Sequence, residues 1–170
     1  MILIIDLNEK EPLSYLEFVK PIEDILKKEN KKFKTKNYKD ISKRDIEKSN
    51  KIILTGTSLK NNEYLKHDFS WIKNYKKPLL GICAGMQVIA LSFNAKLKKS
   101  QEIGLTTLKK NNLNIYKVYS LHNYSVTLPK NFKKILESEK SIQGIKKNNI
   151  IAYLFHPEVL NKSLIADFVK

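Results

Sequence analysis

The chain has 170 residues, 42% apolar and 29% charged, which suits a single globular domain with a core of its own and excludes disordered and fibrous classes. One cysteine rules out an internal disulfide, and no apolar run approaches the roughly 20 residues of a membrane helix. The formal net charge is +15, but the positive residues are lysines spread along the whole chain, with Arg44 the only arginine, so the basicity reads as a solvated surface or a face for an acidic protein partner and not as a specific nucleic-acid site.

Residues 1–6, Met-Ile-Leu-Ile-Ile-Asp, read as a doubly buried first strand; they are too short and lack the basic flank of a signal peptide, so a cytoplasmic location is expected. Residues 20–30 read as a helix, with Pro21 in its first turn and Ile22, Ile25 and Leu26 on one face. A second strand is expected at 32–37, and Ser42 with Asp45 forms a capping pair for a short helix. Lys51–Gly56 is a third strand ending at a glycine, a helix containing Trp71 is expected at about 65–76, and Pro78–Ile82 is a fourth strand. Residues 83–91 have helical periodicity, and 96–156 holds short β segments at 104–109, 113–119, 133–138, 142–147 and 150–155. A last helix is expected at 162–169. Apolar runs alternating with amphipathic stretches, without repeats or linkers, give one α/β domain over 1–170.

Two stretches carry chemistry. Gly81-Ile-Cys83-Ala-Gly85 is a glycine-x-nucleophile-x-glycine pentapeptide between an apolar strand and a helix. A sharp turn there lifts the side chain above the sheet, glycines remove Cβ atoms that would clash, and the helix N-terminus favours thiolate. The Ala84 N–H then points to where an oxyanion forms. Taken alone, the pentapeptide is equally consistent with a tight turn holding a packing cysteine. Phe155-His156-Pro157-Glu158-Val159 follows an apolar strand and supplies a base with an acid two residues on, the cysteine–histidine–acid form of triad logic. His67 lies in a charged stretch and reads as surface; no Cys/His/Asp cluster has metal-ligand spacing, and no glycine-rich phosphate loop is present.

Together these blocks resemble the class-I glutamine amidotransferases, glutaminases with a Cys-His-Glu triad. The resemblance rests on Ile53-Leu-Thr-Gly-Thr-Ser58, Gly81-Ile-Cys-Ala-Gly-Met-Gln87 and Phe155-His-Pro-Glu-Val159, with a weaker fourth block, Leu121-His-Asn-Tyr-Ser-Val-Thr-Leu-Pro129, and it spans essentially the whole chain. It implies a flavodoxin-like fold: a parallel, in part mixed, sheet flanked by helices with a small β excursion before the histidine. It implies Cys83 as nucleophile, His156 as base and Glu158 as orienting acid. Gly56, Thr57 and Ala84 would serve the oxyanion, with Gln87, His122, Asn123 and Tyr124 around the glutamine substrate. It implies no cofactor, and a separate ATP-using synthetase as the ammonia acceptor, GMP synthetase being the leading expectation.

The departures are local. Thr57 stands where the family has the second glycine of Gly-Gly-Pro, and a left-handed backbone is costly for a β-branched residue. Leu154 replaces the usual glutamine before Phe-His-Pro-Glu, and Ala84 is smaller than the usual residue after the nucleophile. A γ-glutamyl hydrolase or a non-catalytic regulatory relative on the same fold are the alternatives.

Overall fold

The computed structural model describes residues 1–110 and 113–170, with side chains outside 110–116. In chain order its elements are β1 (Ile2–Asp6), α1 (Pro12–Phe18), α2 (Lys20–Lys28), β2 (Phe33–Asn37), α3 (Lys43–Lys48), β3 (Lys51–Leu54), β4 (Leu79–Ile82), α4 (Ala84–Ser92), β5 (Leu97–Lys110), β6 (Leu113–Val126), β7 (Lys133–Glu137), β8 (Ile142–Lys147), β9 (Ile150–Tyr153) and α5 (Ser163–Val169). The sheet order is β2-β1-β3-β4-β9-β8-β7-β5-β6. The first five strands of that order are parallel to one another, and the pairings from β9 through β8 and β7 to β5 and β6 are antiparallel. With β9 in the fifth place, the parallel half has the 2-1-3-4-5 order of flavodoxin-like sheets, and β5–β8 form the excursion inserted before its last strand.

Why the parallel strands read as unbroken apolar runs is clear from their two faces. Leu3, Ile5, Ile52, Leu54 and Leu79 pack on one side against α4 and the buried Tyr64, Phe69, Ile72 and Tyr75. Ile2, Ile4, Ile53, Leu80 and Ile82 pack on the other against Val19, Ile22, Ile25 and Leu26 around α2 and Ile165 and Val169 of α5. A strand covered on both faces has no solvent phase to fill with polar residues. Each fully buried Ile or Leu there contributes about 1.5–3 kcal/mol of burial.

The Ser42–Asp45 capping box at α3 forms with both reciprocal hydrogen bonds. The helix expected at about 65–76 is instead two short 3-10 turns, Glu63–Lys66 and Ser70–Asn74. Its buried residues Phe69, Ile72 and Tyr75 recur every third position, which suits three residues per turn and not 3.6. Helix α1 was not expected: it has no side-chain cap and leaves Leu13 and Leu16 exposed. Strands β5 and β6 are also longer than the segments expected at 104–109 and 113–119.

Candidate active site

Strands β1, β3, β4 and β9 all end at one edge of the sheet, and the site assembles there, outside the carboxyl ends of the strands. At the end of β4 the chain turns into α4 through Cys83, whose φ of 48° and ψ of −104° lie in a region that side chains other than glycine rarely occupy. Such a conformation costs about 1–3 kcal/mol and persists only where its surroundings over-determine it. Here Cys83 N–H donates to Tyr153 O (2.8 Å), Gly85 N–H to Thr55 O (3.2 Å) and Gln87 N–H to Cys83 O (3.1 Å). Gly85 must lack a side chain, because a Cβ would lie 2.5 Å from Leu54 O. Among the described residues no group accepts the Ala84 N–H at the head of α4.

His156 follows β9 and is held through its backbone, with its N–H donating to Tyr119 O at 2.8 Å. Its ring is buried, 1% exposed like Glu158. His156 Nδ1–H donates to Glu158 Oε1 at 2.8 Å, which fixes the ring and leaves Nε2 as the free nitrogen. Nε2 has no hydrogen-bond partner among the described residues. Burial pulls the imidazole pKa down, but the charges of Glu158 and then Cys83 outweigh it and hold the pKa well above its ordinary value. Phe18 of α1 closes the other side of the ring at 5.4 Å between centroids. The Cys83 thiol rests against Leu121 O at 3.5 Å.

Gly56, just past β3, carries no Cβ for a steric reason. A Cβ would stand 2.5 Å from His156 Cε1 and 3.4 Å from Cys83 Cβ, so the glycine is what lets His156 and Cys83 come together. The Gly56 carbonyl accepts from Asn8 Nδ2 (3.3 Å) and Thr55 Oγ1 (3.0 Å). Asn8 is in turn anchored on Asp6, whose carboxyl is raised above its ordinary pKa by burial against the lowering effect of hydrogen bonds from Asn8 and Asn37. Thr57 stays outside the left-handed region, so the strain anticipated from a β-branched residue is not incurred in this state. Its hydroxyl accepts from Asn61 Nδ2 at 2.7 Å.

Thr57, Cys83, Ala84, Gln87, His122, Asn123 and Tyr124 line one cavity, while Gly56, His156 and Glu158 stand behind Cys83. The structure therefore gathers every site residue expected from the sequence at one place. The cavity measures about 20 Å³, room for about one water, which needs roughly 10–15 Å³ on this measure. Its roof is pinned: Tyr64 donates to Gln87 Oε1, Gln87 Nε2 to Tyr124 O (2.8 Å), and Asn123 Nδ2 to Leu59 O (3.4 Å).

Tyr64, Phe18, Asn8 and Glu102 were not singled out from the sequence. Glu102 had no readable signal: it points inward along β5 while Ile103 and Leu105 are 56% and 68% exposed, so the alternation of an ordinary half-buried strand would have turned it outward. Leu13 and Leu16 of α1 and Val159 and Leu160 after the histidine are exposed as well. Of these, Leu105 and Val159 lie nearest His156 along the backbone, since Leu105 pairs with Tyr119, whose carbonyl accepts from the His156 N–H, and the Val159 N–H donates to His156 O. Among the described residues there is no cluster of metal-ligating side chains and no helix long and apolar enough to cross a membrane.

Comparison with known proteins agrees with this picture. The chain is 38% identical over 102 residues to the glutamine-hydrolysing GMP synthase subunit of Methanosphaera stadtmanae, covering 52% of this chain and 55% of that protein. It is 34% identical over 96 residues to anthranilate synthase component 2 of Helicobacter pylori, covering 49% and 50%. The chain thus spans about half the length of the curated relatives it matches. A solved structure from Thermoplasma acidophilum, of a protein assigned as a GMP synthase subunit, shares the fold, with a TM-score of 0.82 at 23% identity over 99% of this chain and 92% of that one. The sequence profile of the family Glutamine amidotransferase class-I matches residues 14–169, and the chain belongs to that family.

Proposed function

We propose that the chain hydrolyses glutamine to glutamate and ammonia through a Cys83 thioester and passes the ammonia to a separate synthetase. The observation that carries this reading is the buried His156–Glu158 pair standing beside a cysteine in a strained strand–helix turn. The Cys83 thiolate attacks the side-chain amide carbon of glutamine. The carbonyl oxygen becomes an oxyanion that accepts from the Ala84 N–H and from the backbone of the Gly56–Thr57 segment. His156, protonated at Nε2, gives that proton to the departing nitrogen as the C–N bond breaks, and ammonia leaves. Water, losing a proton to Nε2, then attacks the thioester; glutamate departs and the thiolate is restored. Glu158 keeps its charge throughout and holds Nδ1–H.

Gln87 and the backbone of His122, Asn123 and Tyr124 are proposed to hold the substrate's amino-acid end. The narrow cavity and the hydrogen bonds across it support an enzyme whose activity rises when a partner widens the site. GMP synthesis is the proposed use of the ammonia, supported by the relative matched at 38% identity; anthranilate synthesis is the competing one, from the relative matched at 34%.

The test is glutamate release from glutamine, by the chain alone and with the synthetase partners of GMP synthase or anthranilate synthase, beside mass-spectrometric mapping of a glutamine-shaped diazo-ketone. Labelling at Cys83 and stimulation by the GMP synthase partner are expected. Stimulation by the anthranilate synthase partner instead would reassign the pathway. No adduct on Cys83, with or without partners, where a control glutaminase is labelled, would overturn the activity.

A further inference from the structure

Behind the substrate strand lies a buried polar cluster that the chemistry at Cys83 does not use. It joins three strands of the excursion: Glu102 on β5, His122 on β6 and Gln143 on β8, exposed 7%, 2% and 0%. Glu102 Oε2 accepts from Gln143 Nε2 at 2.7 Å and from Ser141 Oγ at 2.6 Å. His122 Nε2 lies 3.4 Å from Gln143 Nε2 and 3.5 Å from Glu102 Oε2. Its Nδ1–H donates to Ser100 O at 2.9 Å. That carbonyl is available because of a bulge. Lys99 pairs with Tyr124 and Glu102 with His122, so Ser100 and Gln101 together oppose Asn123 alone.

With Nδ1 as the donor, the neutral ring accepts at Nε2 from the Gln143 amide. Burial keeps His122 in that form by lowering its pKa, against Glu102 and Ser100, which raise it; His156 adds to the lowering. A buried carboxylate is costly unless its hydrogen bonds are made. An apolar trio would fill the same space without that cost, so the cluster fits a need for fixed geometry better than one for stability. What it fixes is identifiable. On the same strand as His122, Leu121 O meets the Cys83 thiol and Tyr124 O accepts from Gln87, and residues 121–124 form one wall of the cavity.

We propose that Glu102, Gln143 and the His122 ring form a positioning cluster that sets the backbone of 121–124 against Cys83, and so governs affinity for the amino-acid end of glutamine and not the reactivity of the thiol. The inference rests on the glutaminase reading above. Glu102 and Gln143 are positioning residues, since they act through the strand. Loss of the Glu102 charge leaves Gln143 Nε2 with a weaker acceptor and frees the His122 ring to turn, and the bulge then loses its internal brace.

The experiment measures inactivation of the whole chain by the glutamine-shaped diazo-ketone, resolved into KI and kinact, beside the rate of Cys83 alkylation by iodoacetamide, which carries no amino-acid end. Glu102→Gln and Gln143→Met are expected to raise KI about tenfold, roughly the effect of one lost hydrogen bond, with kinact and the iodoacetamide rate within about twofold of wild type. Ser141→Ala, at a half-buried position that removes one of the two bonds to Glu102, should raise KI about two- to threefold. It keeps the test open if the buried variants fail to fold. Unchanged KI in Ser141→Ala and in every folded variant would overturn the positioning role. So would a fall in kinact and iodoacetamide rate together, which would mark general disruption of the site. Wild-type protein alkylated by iodoacetamide but not by the diazo-ketone would overturn the glutaminase reading, and the proposed cluster function with it.

Discussion

Gly56→Ala is the sharpest single perturbation of the site. A Cβ at residue 56 would stand 2.5 Å from His156 Cε1, whereas its separation from Cys83 Cβ, 3.4 Å, is ordinary contact. Restoring contact distance to the ring takes a shift of about 0.9 Å, the difference between those two separations. The imidazole is the part that yields, since the obstructing atom is a side chain, but it is held by Glu158 on one side and Phe18 on another. A misplacement of about 1 Å at a reacting group costs on the order of 10²-fold in rate, or about 2.7 kcal/mol of transition-state stabilisation. The overpacking itself costs about 1–3 kcal/mol of fold stability. Gly85→Ala is the control: its Cβ would meet the Leu54 backbone at 2.5 Å, so its loss appears first as unfolding. The assay is kcat/KM for glutamate release in the activated complex, with urea midpoints for both variants. A Gly56→Ala protein that folds and retains more than a tenth of wild-type kcat/KM would refute the reasoning, because the ring would then have room that the geometry denies it.

Replacing Cys83 by Ser should remove most turnover, since an alkoxide forms far less readily than a thiolate at neutral pH, and burst measurements of glutamate should show no acyl-enzyme. Glu158→Gln should lower stability by about 1.5–3 kcal/mol at pH 6, the worth of a charge-assisted hydrogen bond. His156 has its folded pKa raised above 6.5, so the stability it adds is fully present below 6.5 and is lost as pH rises through the higher folded value. Denaturation at pH 6 and pH 9 should therefore show the penalty shrinking in alkali, and a penalty that grows would contradict the assigned ion pair. Thr57→Gly removes both the β-branched side chain and the hydroxyl bonded to Asn61, so it should raise glutamate release by the isolated chain. Wild type should be slow alone and at least tenfold faster with the proposed synthetase partner, about 1.4 kcal/mol. High wild-type activity alone would show that the narrow cavity is no barrier.

The parallel half of the sheet was legible because strands buried on both faces leave no choice of residue: Ile2–Asp6, Lys51–Leu54 and Leu79–Ile82 are almost wholly apolar. The excursion was harder to read. Strand β5 is rich in Lys and Thr and β6 in Tyr and Asn, and their pairing partners, not their own composition, extend them to 14 residues each. The stretch at 65–76 misled because apolar positions three apart satisfy half of a helical pattern; Asp68, whose side chain accepts from the Ser70 N–H, begins a fresh turn there. The motif residues announced themselves through local chemistry, in the glycines around Cys83 and the acid two places after His156. Gly56 was expected to serve the oxyanion, and its closeness to the His156 ring, a contact between residues 100 positions apart, had no local signature. The same is true of Gln143, whose meaning depends on Glu102 and His122 arriving from other strands.

The exposed apolar side chains Leu13, Leu16, Ile103, Leu105, Val159 and Leu160 bear on how this chain behaves as a colloid. At low ionic strength a net charge of +15 keeps copies apart, and these side chains stay in water one molecule at a time. Salt shortens the reach of that repulsion, to about 10 Å at 0.1 M and about 3 Å at 1 M. Exposed apolar side chains of two copies can then touch despite the like charge, and the apolar attraction, which salt does not screen, takes over. Light scattering should accordingly record particle mass climbing as salt is added, and Leu105→Lys with Leu160→Lys should flatten that climb. The preparation that looks gentlest, a moderately salty buffer, is then the one in which these side chains are expected to be covered by a second copy.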